Sequence, residues 1–302
     1  MLSAANIKKW QILLFIAAIF ANPAPAQALK ITTWNLNWLT DRPSGDPALP
    51  DDVQGRTPDD FTRLRTYADK LDADVIAFQE VDGANVAARV FNPARYRIEL
   101  IDQDVVQRVG IAVRRDIVVA RNPDVVGLEV PTGSRHSLRA GLDLTLTLPT
   151  TGTATTSLRV LAVHLKSGCA RGPLDRPQTA SKLGQACTQL WQQTPVLADW
   201  AHARAASGTA FVMLGDFNRQ FDRPEPLGAA LTAAAPLTRA TAGFANPCWG
   251  GEGFIDHIFA GGPARAWLVP GSLSVLVYRE QAARDRAHLS DHCPVSVRLN
   301  PH

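Results

Sequence analysis

The chain has 302 residues, 46% hydrophobic and 20% charged, with 31 Lys and Arg against 28 Asp and Glu. This length suits one large domain or two small ones. A formal net charge of +3 is too small for a strong general attraction to nucleic acid or anionic membrane, so any such contact needs a local basic groove.

The chain opens with Lys8 and Lys9, an apolar run from Ile12 to Ala21, and then "NPAPAQA". A basic start, a short apolar stretch and a small-x-small site describe a secretory signal peptide. The run is short for a bilayer span. Cleavage after Ala28 fits Ala-Gln-Ala, Ala26 is the alternative, and retention as an N-terminal anchor is the other reading. No cysteine lies near the site, which argues against a lipid anchor. Residues 1–28 are thus expected to be a leader and residues 29–302 a single domain. The leader carries two of the 31 basic residues and no acid, so 29 basic side chains remain against 28 acidic ones. Export permits disulfides. Four cysteines allow three pairings; Cys169–Cys187 and Cys248–Cys293 are favoured, and the sequence cannot choose among the three. None shows zinc-type spacing.

"LKITTWNLNWL" predicts a strand from Leu29 to Trp34 that ends in polar residues. Residues 41–57, rich in Pro, Asp and Gly, predict a surface loop. A Thr cap and a Pro at the first helical position open "TPDDFTRLRTYADKLDA", where Phe61, Leu64, Tyr67, Ala68 and Leu71 recur at helical spacing. "ADVIAFQEV" reads as a buried strand, followed by strands at "YRIELI", "VGIAVRR", "LRAGLDLTLTL" and "SLRVLAVHLKSG". Leu183, Cys187, Leu190, Trp191, Leu197 and Trp200 predict a helix within Pro177 to Ala206 that Pro195 should kink or split. "TAFVMLGDFN", "GFIDHIFA", "AWLVPGSLSVLV" and "CPVSVRL" complete the strands. No repeat or linker appears after residue 29. Many strand–strand neighbours with short turns predict mixed sheets with helices packed outside.

Several strands stop alike, in an apolar run followed at once by polar groups. Ligands collect at such strand ends in open sheets, and rigid ends hold geometry well. Asn35 and Asn37 follow one strand, although Asn there is ordinarily a turn former. Glu80 follows "DVIAFQ", where it could equally cap a turn, and His164 ends "LAVH", where a hydrogen-bonded core histidine is the plainer reading. Asp216 and Asn218 lie two apart beyond a very apolar strand, and Gly215 permits close backbone approach. Asp256 lies inside an apolar strand, where a carboxylate is costly unless paired. By alternation His257 faces away from it, which makes His257 structural and His292 its natural partner. Glu80, Asp216, Asp291 and the amides of Asn35 and Asn218 supply oxygens suited to a hard divalent cation such as Mg²⁺. A carboxylate–imidazole pair at Asp256 and His292 suits a general base, and His164 could donate to a phosphate oxygen.

The segments "TWNLNW", "IAFQEV", "HLKSG", "GDFN", "FIDHIF" and "LSDHCPV", spread over residues 29–299, resemble the endonuclease/exonuclease/phosphatase superfamily in identity and order. The resemblance implies a deoxyribonuclease I-like α/β (α+β) four-layer sandwich, two packed mixed β-sheets flanked by helices. It implies Glu80 as main metal ligand with Asn35 beside it, and Asp291 as a metal-side carboxylate. Asp216 and Asn218 would bind or polarise the phosphate and attacking water. His292, supported by Asp256, resembles the general base, and His164 the second histidine of the deoxyribonuclease and sphingomyelinase branches. Asn37, Arg108, Arg139 and Lys166 are further candidates for phosphate or substrate contact. In place of the family's aromatic hydroxyl before one strand stand Gln107 and Arg108, and the Trp-Thr-Asp-Arg run of inositol phosphatases is absent. The first reading is an exported, monomeric, Mg²⁺-dependent phosphodiesterase (Mn²⁺ or Ca²⁺ as alternatives), an endonuclease acting on DNA or RNA. The alternatives are a sphingomyelinase-like or small-molecule phosphoesterase, and a non-catalytic binding protein on the same fold. A nuclease would need a basic groove drawn from Arg108, Arg139, Lys166, Arg171 and Arg219.

Overall fold

A computed structural model describes residues 28–131, 138–150, 153–174, 181–280 and 282–302. Apart from Ala28, the expected leader lies outside these residues. The strands are β1 (Leu29–Leu39), β2 (Val75–Val81), β3 (Tyr96–Leu100), β4 (Arg108–Arg114), β5 (Val118–Arg121), β6 (Leu142–Pro149), β7 (Thr155–His164), β8 (Phe211–Asp216), β9 (Leu237–Arg239), β10 (Asp256–Gly261), β11 (Ser274–Val275) and β12 (Val295–Leu299). The helices are α1 (Pro58–Leu71), α2 (Ala84–Val90), α3 (Lys182–Ala206), α4 (Pro226–Ala234), α5 (Ala264–Trp267) and α6 (Ala283–His288).

Two six-stranded sheets form, in the orders β11-β12-β1-β2-β4-β3 and β5-β6-β7-β8-β10-β9. Each contains one parallel pair, β1–β2 and β7–β8, among antiparallel neighbours. The alternation read from the sequence explains the layering. Ile31, Val75, Val109 and Ile111 from the first sheet meet Leu144, Val160, Val212 and Ile258 from the second in one buried cluster. The opposite face of the first sheet, with Trp34 and Phe78, packs under α1 and α2 through Leu64, Leu71 and Val90. The opposite face of the second, with Phe211 and Met213, packs under α3 and α4 through Leu197, Trp200 and Leu231. The expected four-layer sandwich results. α1 begins as predicted, with Thr57 and Asp60 in a reciprocal capping box and Pro58 in the first turn. Among the described residues no helix is long and apolar enough to cross a membrane.

Three element readings need correction. β1 continues past Trp34 to Leu39, because Leu36 and Leu39 are buried; its register with β2 breaks between Asn35 and Leu39. α3 is not split at Pro195, since buried residues on both sides, Leu190 and Leu197, anchor one continuous helix; residues 177–180 lie outside the described residues. "AWLVPGSLSVLV" is mostly not strand. α5 ends at Trp267, Gly271 turns the chain at φ +69°, and the segment meets β12 only in a single bridge from Leu268 to Leu299 and in the short strand Ser274–Val275. Both favoured disulfides form, Cys169–Cys187 and Cys248–Cys293.

Candidate active site

Alternation carries polar side chains from both sheets to one end of the inner layer. In the second sheet, Asp216 pairs in register with His164 on one side and Asp256 on the other, three residues abreast on adjacent strands. All three continue the inward-facing set of Val160, Ala162, Val212, Leu214, Ile258 and Ala260. Gly215, at φ +148°, lets the strands close up there; a Cβ would lie 2.0 Å from the Val163 carbonyl oxygen. In the first sheet Asn35 continues the inward set of β1. Glu80 breaks alternation. Strict period two would send it outward with Phe78, but its backbone is left-handed at φ +63° and the β2–β4 register shifts between Phe78 and Val81. Asn37, Trp38 and Asn218 are also left-handed, at φ +46°, +53° and +50°. Non-glycine residues held there are costly and cluster at functional sites.

Asn35 joins the two sheets. Its Nδ2 donates to Glu80 Oε1 and to Asp216 Oδ2, both at 3.0 Å. Its Oδ1 accepts from the Asn37 N–H at 2.8 Å, and the Trp38 N–H donates to Glu80 Oε2 at 3.0 Å. His164 Nε2 lies 3.4 Å from Glu80 and 3.7 Å from Asp216. His292 Nδ1 donates to Asp256 Oδ2 at 2.7 Å, and Nε2 points to Asp216 and Asp291, each 3.8 Å away. Asp216 Oδ1 accepts from the Asn218 N–H at 2.7 Å, and Asn218 Nδ2 donates to the Leu165 carbonyl at 3.2 Å. His257 faces the other way. Its Nε2 lies 2.9 Å from the Arg219 carbonyl, which can only accept; Nδ1 therefore accepts from Thr241, at 2.6 Å.

The segment bearing His292 is tied down from several sides. Ser290 Oγ donates to the Asn35 carbonyl at 2.7 Å and accepts from the His292 N–H at 3.0 Å. Trp34 Nε1 donates to the Tyr278 hydroxyl at 2.8 Å, which donates to the His292 carbonyl at 2.9 Å. Trp249 Nε1 donates to the Ser290 carbonyl, and the neighbouring Cys248 is bonded to Cys293. Arg56, 7% exposed, donates through Nη2 to the carbonyls of Leu36, Asn37 and Leu289, clamping the end of β1 to the start of this segment. No sequence signal marks Arg56, because it sits in the Pro- and Asp-rich loop.

The electrostatics are those of a crowded acidic pocket. Burial, with Asp256 adding to it, pushes the Asp216 carboxyl up to about 7 against the pull of His292. Burial disfavours the His292 imidazolium, but Asp256 and Asp216 outweigh it and hold the group well above its ordinary value. His164 is pressed well below the ordinary value by burial and then by Arg139, His292 and Lys166. It is thus a neutral imidazole. Asp256 Oδ1 is buried without a hydrogen-bond partner. Glu80 and Asp216, both bonded to the Asn35 amide, offer carboxylate oxygens of the kind that hold a hard divalent cation, and Asp291 reaches this end of the pocket only through His292, 3.8 Å from its Nε2. Asp216, Asp256 and His292 also offer ligand atoms within 4.8 Å of one another.

The other candidates divide. Arg139 and Lys166 lie at the site's edge, each within electrostatic reach of its groups. Arg108 does not join them; it donates to Gln103 and Asp104 and lies 3.6 Å from Asp82. The Asn37 side chain turns away to the Arg286 carbonyl, so its backbone, not its amide, serves the site. Arg171 pairs with Asp222, and buried Arg219 with Glu225. Asp291 is at the mouth, its side chain 49% exposed.

The model of the Endonuclease/Exonuclease/phosphatase family matches residues 32–292. The chain belongs to the endonuclease/exonuclease/phosphatase family. Among solved structures of that architecture, humanized D. rerio TDP2 superposes with a TM-score of 0.53 at 15% identity, covering 90% of this chain and 99% of that one. The human Nocturnin catalytic domain gives 0.52 at 10% identity, with 90% and 94% covered. An endonuclease/exonuclease/phosphatase family protein from Bacteroides thetaiotaomicron gives 0.52 at 14% identity, with 91% and 98% covered. At such identities the likeness is one of fold. No curated protein matches the chain by sequence.

Proposed function

We propose that the chain is an exported, divalent-metal-dependent phosphodiesterase, an endonuclease acting on DNA or RNA as a monomer. One arrangement carries the reading: an Asp256-held imidazole whose free nitrogen faces the Glu80–Asn35–Asp216 carboxylate cluster. Two disulfides fit an oxidising compartment, the periplasm or the medium. The leader, residues 1–28 with cleavage near Ala28 or Ala26, would deliver it there.

Glu80, Asp216 and Asp291 would hold the cation, Mg²⁺ with Mn²⁺ or Ca²⁺ as substitutes. When bound it neutralises phosphate charge and lowers the pKa of a nearby water. A cation on the neighbouring carboxylates would offset the charge that otherwise keeps His292 protonated; Asp256 then fixes the neutral tautomer with the proton on Nδ1, leaving Nε2 to take the proton of the attacking water. The same carboxylate then stabilises the imidazolium. His164, kept neutral, presents its Nε2–H to developing charge on a phosphate oxygen, and Asn218 adds an amide donor. Asn35 keeps Glu80 and Asp216 in place through its Nδ2 hydrogens, with Oδ1 taken by the Asn37 N–H, so it acts as an orienting group and not as the ligand the sequence suggested.

The test is a substrate panel of plasmid DNA, RNA, sphingomyelin and a compact phosphodiester, each with Mg²⁺, Mn²⁺, Ca²⁺ or chelator. Metal-dependent cleavage of nucleic acid is expected. Cleavage of sphingomyelin but not nucleic acid would replace the nuclease reading, and activity unaffected by chelator would remove the metal.

A further inference from the structure

A groove of about 430 Å³ opens beside the carboxylate cluster, lined by Trp38, Gln107, Arg139, Lys166 and Lys182 among others. Trp38 joins groove to site, since its backbone N–H holds Glu80. Among the described lining residues there are three cations and no acid. The two other large grooves differ, because their arginines share the wall with Asp222, Glu225 or Glu252.

Arg139 is the group that asks for a ligand. It is 8% exposed, and among the described residues its contacts are two long ones, Nη1 to Gln107 Oε1 and Nη2 to the Leu165 carbonyl, each 3.4 Å. Its Nε is buried with no partner. Among the described residues no carboxylate pairs with it directly, Glu80 and Asp216 acting on it only from farther off, and a phosphate matches the fork of such a desolvated guanidinium in two bonds. Lys166 stands close enough that Arg139 helps push its ammonium below the ordinary value, after burial itself. An anion beside both relieves the repulsion. Lys182 enters the groove from α3, exposed in its first turn, whereas Arg139, bonded to the Leu165 carbonyl, and Lys166 stand at the end of β7 beside His164, so Lys182 marks the part of the groove farther along the chain's path from the reacting centre.

We propose that this groove is a subsite for the nucleotide flanking the cleaved bond, and that the substrate is a single-stranded nucleic acid. Arg139 and Lys166 receive the near phosphate, Lys182 the next, and the Trp38 indole stacks on the intervening base. Stacking on an aromatic needs a base already out of a duplex, which selects a single strand. The inference rests on the phosphodiesterase reading and adds its substrate class.

The experiment compares wild type with Lys182→Gln, Lys182→Glu and Arg171→Gln, the last in a mixed-charge groove. Substrates are a compact diester such as bis(p-nitrophenyl) phosphate, short single-stranded DNA and RNA, and the annealed duplex, over a salt series. For Lys182→Glu, the single-strand KM should rise about fivefold at low salt and the slope of log KM against log salt should fall by roughly 0.7. Lys182→Gln should shift the same way by less. Compact-diester turnover should not change in any variant, and Arg171→Gln should match wild type throughout. Single-strand KM and slope indifferent to Lys182, or a duplex cleaved better than the strand, would overturn the subsite while leaving the phosphodiesterase reading standing. A wild-type chain inert towards every diester would instead remove that underlying reading.

Discussion

Asp256 lies directly across from Asp216 in the β8–β10 register, so two carboxylates address one imidazole, at 2.7 Å from Nδ1 and 3.8 Å from Nε2 of His292. The two acids are chemically alike and differ in task because of which ring nitrogen each faces. His292→Ala should lower kcat by about 10²- to 10⁴-fold, the usual worth of a positioned general base. Asp256→Asn should lower kcat too, since the imidazole loses its tautomer control. Circular dichroism and melting temperature should show both variants folded. An unchanged kcat in His292→Ala would end the mechanism.

Asn35 holds Glu80 and Asp216 with the two hydrogens of one amide. Groups that orient metal ligands typically contribute about 10- to 100-fold in metal affinity. Asn35→Ala should therefore raise the Mg²⁺ dissociation constant by about that factor, and Glu80→Gln should raise it at least as far. Isothermal titration with Mg²⁺ measures this without reference to turnover. Equal affinity in wild type and Glu80→Gln would place the cation elsewhere.

His257 is buried neutral, and burial holds it at about 3 despite its bond to the Arg219 carbonyl. In the unfolded chain an ordinary histidine takes up its proton near 6.5. Between those values the unfolded state binds the extra proton, so the contribution of His257 to stability is complete above about 6.5 and is lost as pH falls towards 3. Urea unfolding between pH 7 and pH 4 should show this decline, and NMR should find the His257 ring still unprotonated at pH 5. A ring titrating near 6.5 would contradict the burial argument.

Cys248–Cys293 closes a sequence separation of 45 and fastens the residue next to His292. On loop-closure entropy, removing it with Cys248→Ala and Cys293→Ala should cost roughly 4 kcal/mol, against roughly 3 kcal/mol for Cys169–Cys187 with its separation of 18. Only the first pair should also lower kcat at temperatures where the protein stays folded. Chemical denaturation and turnover of the two double variants separate these effects.

The sequence carried the sandwich because period-two apolar runs and one strong helix cap specify layers locally. It carried Asp216, Asp256 and His164 for the same reason, since each continues an inward-facing strand set. It carried neither the left-handed turn that brings Glu80 round nor the fate of Arg108, because a bulge and a competing carboxylate depend on neighbours distant in the chain. Arg56 was silent for a related reason. Its guanidinium matters through three carbonyl groups, and a carbonyl has no letter in the sequence. "AWLVPGSLSVLV" misled because its apolar content serves burial around a turn and not pairing.

Asn35, Glu80 and the His292 segment belong to one sheet, while His164, Asp216 and Asp256 belong to the other. The pocket is therefore a vernier on the gap between them, and that gap is set by aliphatic bulk such as Val109, Leu144 and Val160. Interiors packed this tightly pass strain along and do not absorb it. A surplus methylene far down the core would thus surface first as a sluggish enzyme, and only later as a fragile one.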